Sequence, residues 1–199
     1  HDASYGKSGA LLTNQGKALA AAGDLAGAAN SFGLAVQDSS YATPYKAYMG
    51  LGNALLKSGN PTDAGVAFRS AAIDGANPAP AAALMNLGDC FLLISRPEDA
   101  VEAYRTALDF VGPHDDPRAI NAGLGQALAA AGRYADAIEA FGRATSDGIY
   151  QLTPEQQQSL ATAQDTLSAQ RSMAPTVPQT TGAYAPGVDP LDPLGQSGN

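Results

Sequence analysis

Glycine recurs at Gly16, Gly52, Gly88 and Gly125, at spacings of 36, 36 and 37 residues. Three residues after each comes a large apolar residue, Leu19, Leu55, Phe91 and Leu128. Twelve residues after each comes an alanine, Ala28, Ala64, Ala100 and Ala137. An aromatic follows at Phe32, Phe68, Tyr104 and Phe141, then a second alanine at Ala35, Ala71, Ala107 and Ala144. Five matched positions in four successive units exclude chance in a chain of 199 residues. A period of this length marks stacked supersecondary units, none of which buries its apolar face alone.

Each unit reads as two short helices around a turn. The turns are Ala22-Gly23-Asp24, Ser58-Gly59-Asn60-Pro61, Ser95-Arg96-Pro97 and Ala131-Gly132-Arg133. Glycine supplies the left-handed backbone that closes a helix. Pro61 and Pro97 suit a first helical turn, where a missing N–H costs nothing. A second set, Pro44, Pro80, Pro117 and Pro154, keeps the period just ahead of each unit's first helix. Composition agrees with an all-α chain. It is 45% hydrophobic with alanine dominant and only 7% aromatic, whereas a β-sandwich draws on β-branched and aromatic residues.

These residues resemble the tetratricopeptide repeat, whose signature is a bulky residue, Leu-Gly, a bulky residue, Ala, Phe or Tyr, Ala and a closing Pro. Leu51-Gly52, Leu87-Gly88 and Leu124-Gly125 carry the Leu-Gly pair. The first unit departs with Gln15, as suits a terminal unit, and the fourth has Asn121 where the bulky opening residue belongs. The resemblance implies a right-handed solenoid of four helix-turn-helix repeats. The expected organisation is an N-terminal extension over 1–8, four repeats over 9–153, a capping helix over 154–173 and an extended Pro/Gly-rich tail over 174–199. The cap rests on Glu155 and Gln156 near a helix start and on Leu160, Ala163 and Leu167 at helical spacing. The tail holds five prolines and four glycines and cannot form its own core. Its expected anchors, on this solenoid or on a partner, are Tyr184, Val188, Leu191 and Leu194.

Little in the chain points to catalysis, and the reading is of a protein that is not an enzyme and takes no cofactor or metal. Gly6-Lys7-Ser8 lacks the earlier glycine of a P-loop, since that position is His1. Gly50-Leu51-Gly52 and Gly123-Leu124-Gly125 lack the third glycine of a dinucleotide fingerprint and sit inside expected helices, so packing accounts for them. His114-Asp115-Asp116 reads as a solvated acidic loop, because adjacent loop residues rarely converge on one ion. His1 and His114 are the only histidines, which removes a multi-histidine zinc site. Cys90, the single cysteine, reads as a small core residue, and no intramolecular disulfide is possible. The formal charge of −8 without a basic stripe disfavours nucleic acid and anionic lipid as partners. No segment reaches the roughly 18 apolar residues of a membrane span.

In the resembling family the first helix of each unit lines a concave groove that holds a protein segment. Carried onto this sequence, the groove takes Thr13, Asn14 and Lys17 from the first unit and Met49, Asn53, Leu56 and Lys57 from the second. The third gives Met85, Asp89, Leu92 and Leu93, and the fourth Ala122, Gln126 and Ala129. This face lacks the inward cluster of Lys, Arg and Asn with which some family members grip acidic C-terminal tails. Met49, Met85, Leu56 and Leu92 give it an apolar centre, suited to a helical or extended partner segment with apolar anchors.

The chain further resembles the small tetratricopeptide lipoproteins of bacterial envelopes, above all the one serving the Tad (Flp-type) pilus. That resemblance implies a pilotin-like helper of an outer-membrane secretin at the periplasmic face of the outer membrane. The chain opens on His1, and the resemblance implies an upstream signal sequence ending in a lipidation cysteine, the one route to a membrane. The alternative reading is a cytosolic adaptor or secretion chaperone on the same solenoid.

Overall fold

Proline and glycine punctuate the chain into helices, and the computed structural model, which describes residues 8–112 and 116–173, follows that punctuation. The described helices are α1 Gly9–Ala21, α2 Leu25–Ala35, α3 Pro44–Lys57, α4 Pro61–Ile73, α5 Pro80–Leu93, α6 Pro97–Asp109, α7 Arg118–Ala130, α8 Tyr134–Thr145 and α9 Pro154–Met173. No strand occurs among the described residues. Each odd-numbered helix packs on the even one after it, each even helix packs on the next odd one, and α9 closes against α7 and α8. This is an all-α solenoid of four helix pairs with a ninth helix at its end.

Proline begins α3, α4, α5, α6 and α9, where no intrahelical N–H is needed. Pro117 instead sits at the N-cap of α7. Side chains complete other starts. Asp24 accepts from the Gly27 N–H at 2.8 Å, and Asp38, from the loop after α2, accepts from the Gly9 N–H at 2.6 Å. The turns inside the units carry left-handed backbone at Gly23, Gly59 and Gly132. The third unit has Ser95 there, with φ of 58°.

The matched alanines are the contact surface of the solenoid. Ala28, Ala64, Ala100, Ala137 and their partners Ala35, Ala71, Ala107 and Ala144 are all fully buried. Phe32, Phe68, Tyr104 and Phe141 are buried among them. Each ring lies against the repeat glycine of its own unit. A Cβ added at Gly52 would come within 2.6 Å of Phe68, and one at Gly88 within 2.8 Å of Tyr104. The first glycine of each Gly-Leu-Gly run has the expected packing origin. Gly50 faces Phe32 of the preceding unit, and a Cβ at Gly123 would lie 2.6 Å from Tyr104.

The buried apolar residues form two clusters. One holds Leu12, Ala28, Phe32 and Ala35 with Ala47 and Ala54 of α3. The other runs from Ala64 and Phe68 to Ala140 and Ala163, with Met49, Leu55 and Leu56 of α3 packed on it. One face of α3 thus belongs to each.

Asn121, in place of a bulky residue, is buried and bonded. Its amide donates to the Pro117 carbonyl at 3.0 Å and accepts from Arg143 Nε at 3.1 Å, tying α7 to α8. At α9 the sequence Thr153-Pro154-Glu155-Gln156 forms a capping box. The Gln156 N–H donates to Thr153 Oγ1 at 3.3 Å, and Thr153 N–H donates to Gln156 Oε1 at 3.0 Å. Ala163 is fully buried, while Leu160 and Leu167 are half-buried.

Candidate protein-binding groove

Equivalent positions on the odd helices recur on one face because the units stack in one register. One residue after each repeat glycine stand Lys17, Asn53, Asp89 and Gln126, the first two exposed and the last two half-buried. Three positions further come Ala20, Leu56, Leu92 and Ala129, all half-buried. A polar row therefore runs beside an apolar row. Asn14 and Lys57 are exposed, and Leu93 is 63% exposed, so the third unit offers it to solvent.

Leu92, Gln126 and Ala129 meet in one hollow of about 440 Å³. Its remaining walls are Ala130 and the α9 residues Glu155, Gln158, Ser159 and Thr162. The α9 wall is absent from the sequence-based set, which treats this helix as a cap only. The signal was present: Pro154 keeps the repeat spacing, and Leu160-Ala161 with Ala163 copies Leu124-Gly125 with Ala127 at a spacing of 36. The ninth helix keeps the register of the first helices of the four units.

Other members of the set fall elsewhere. Thr13 and Ala122 are buried, at 2% and 0% exposure, and leave the surface set. Both stand three residues before the repeat glycine, where a short side chain ends between helices. The Thr13 hydroxyl is spent on the Gly9 carbonyl at 2.7 Å. At the same register the longer Met49 and Met85 stay half-buried, packed on the larger core cluster. Met85 lines a separate hollow with Ala82, Val111 and Ile120 among others, so it does not share the hollow of Leu92. The tail anchors Tyr184, Val188, Leu191 and Leu194 lie outside the described residues, as do His114 and Asp115. Asp116 is engaged by Arg118, whose Nε donates to it at 2.7 Å while Nη1 reaches Asp147 at 2.6 Å.

Asp89 is the chemically distinctive group of this face. The Tyr104 hydroxyl donates to its Oδ1 at 2.6 Å. Burial pushes the Asp89 carboxyl above the usual carboxylate range, against the opposing pull of that hydrogen bond. Burial and the neighbouring Asp89 charge together raise the Tyr104 phenol. The same two causes push the Cys90 thiol up to about 11, which suits a buried packing residue and not a nucleophile. Among the described residues no group of three His, Cys, Asp or Glu side chains is placed to hold a metal ion.

The stacked pairs and the continuous first-helix face define a helical-repeat solenoid with an open face along its first helices. The chain belongs to the tetratricopeptide repeat family, whose profile matches residues 13–80 and again 49–117. No curated protein matches the sequence. Among solved structures, the chain is similar to a tetratricopeptide repeat protein from Parabacteroides merdae ATCC 43184, with a TM-score of 0.67 at 17% identity. That match covers 82% of this chain and spans 62% of the other protein's length. It is also similar to PilW, a widely conserved type IV pilus biogenesis factor, at 20% identity and a TM-score of 0.62, covering 78% of this chain and 69% of that one. A third is YrrB, a tetratricopeptide protein with an unusual peptide-binding site, at 17% identity and a TM-score of 0.51, covering 81% and 91%. At these identities the likeness is one of fold.

Proposed function

We propose that this chain is an envelope assembly factor that holds a segment of a partner protein along the first-helix face, as a pilotin-like helper of an outer-membrane secretin in Tad/Flp pilus biogenesis. The observation that carries the binding reading is the polar row of Asn53, Asp89 and Gln126 beside the apolar row of Leu56, Leu92 and Ala129. Polar side chains at regular spacing suit the backbone of an extended or helical segment, and the apolar row beside them takes its anchors. The pilus reading is supported by the resemblance to envelope lipoproteins and by the fold shared with PilW, a type IV pilus biogenesis factor. On this reading the protein sits at the periplasmic face of the outer membrane, held by a lipid on a cysteine encoded upstream of His1.

Crosslinking in the native host followed by mass spectrometry tests the assignment. A secretin subunit is the expected partner, and Leu56→Glu with Leu92→Glu is expected to weaken its retention at least about tenfold. Unchanged retention in that folded double variant would remove the apolar anchors from the account. Fractionation tests the location: recovery with the outer membrane supports it. A start codon directly before His1 together with recovery in the cytosol would replace it with a cytosolic adaptor or secretion chaperone.

A further inference from the structure

We infer that the α5–α9 end of the groove takes a basic side chain of the bound segment, with Asp89 as its acceptor. This inference rests on the groove reading above and names the chemistry of its partner.

Charge is divided along the first-helix face. All four lysines lie within the first 57 residues, with Lys17 on α1 and Lys57 on α3. In contrast, Asp89 is the only charged residue of α5. The sole charge of α7 is Arg118 at its first position, already engaged with Asp116 and Asp147. Glu155 is the only charged residue in the wall of the hollow shared by α5, α7 and α9. That end of the groove is therefore anionic and apolar, and a like-charged segment is repelled from it.

Asp89 is built as a fixed acceptor. Tyr104 is the only one of the four ladder aromatics with a hydroxyl, and its ring is wedged against Gly88 and Gly123. The packed ring places its hydroxyl against the carboxylate at 2.6 Å and so orients it. The phenol is neutral and leaves the charge uncancelled. The acids Asp99, Asp136, Glu139, Asp116 and Asp147 each pair with an arginine. Among the described residues no lysine or arginine pairs with Asp89. A half-buried carboxylate without a cation bears an uncompensated desolvation cost, which an arriving ammonium or guanidinium relieves. Leu92, one helical turn along α5, supplies the neighbouring apolar contact.

A displayed library of random dodecapeptides, selected against the full chain, tests this. The targets are the wild type and Asp89→Asn, Tyr104→Phe and Gln126→Trp, each checked by a thermal melt. The wild-type pool is expected to enrich Lys or Arg flanked by apolar residues. The Asp89→Asn pool keeps the apolar enrichment and loses the basic one, and Tyr104→Phe, which keeps the carboxylate but frees it, retains the apolar enrichment with a weaker basic one. For one selected peptide, replacing its basic residue by Gln is expected to weaken wild-type binding about tenfold. The same peptide change is expected to leave binding to Asp89→Asn unaltered. Apolar enrichment without basic enrichment, or acidic enrichment, overturns the role of Asp89 alone. No enrichment at all, or a Gln126→Trp pool matching the wild type, overturns the groove reading itself. Should Asp89→Asn not fold, the wild-type and Tyr104→Phe pools with the Gln-substituted peptide still decide the question.

Discussion

Ser95 holds φ of 58° at the turn where the other three units place glycine. A side chain in the left-handed region costs about 1–2 kcal/mol, and glycine returns part of that gain through a freer unfolded chain. Ser95→Gly is expected to raise stability by about 0.5–1 kcal/mol, read as a higher urea midpoint at unchanged slope. Gly123→Ala acts the other way, because its Cβ would press within 2.6 Å of the buried Tyr104 ring. A loss of about 1–3 kcal/mol in the same titration is expected. Ionisation gives a third expectation. Hydrogen bonds from Arg118, first from its side chain and then from its backbone, hold the Asp116 carboxyl down to about 2. A depressed folded value stabilises above the unfolded one, so this contribution is present at neutral pH and lost as pH falls from about 4 toward 2. Thermal melts should show an acid-side decline that is shallower in Arg118→Ala.

At the scale of elements, α9 joins two roles. It covers the last helix pair and adds a wall to the groove. Its start depends on the capping box, so Thr153→Ala is expected to cost about 1 kcal/mol in denaturant unfolding. Much of the architecture was legible beforehand because Gly, Ala and aromatic positions are forced by close helix packing, and packing repeats with the units. The groove was less legible because exposure at a given register depends on side-chain length. Thr13 and Ala122 sink where Met49 and Met85 do not. The Asp89–Tyr104 pair joins residues on two helices, and only the one hydroxyl among four aromatics hinted at it. Thr153-x-x-Gln156 was readable as a capping box, and Pro154 as the start of a helix in the first-helix register.

Across the whole molecule, the core divides at α3, with the first unit in the smaller cluster. In a stacked array each unit gains stability from its neighbours, and an end unit has one neighbour only. Hydrogen exchange should accordingly show α1 and α2 opening at lower free energy than α5 through α8. The shared register also gives the molecule two unlike faces, an odd-helix face with the polar and apolar rows and an opposite one formed by even helices. The central claim is that the odd-helix face holds a protein. Site-specific photocrosslinking in living cells of the native host tests it most directly, with the probe at Asn53 or Gln126 on that face and at Glu102 or Arg105 on exposed positions of α6. The account predicts a discrete protein adduct from Asn53 and Gln126 and none from Glu102 and Arg105; adducts of equal yield from both faces, or only from α6, would contradict it.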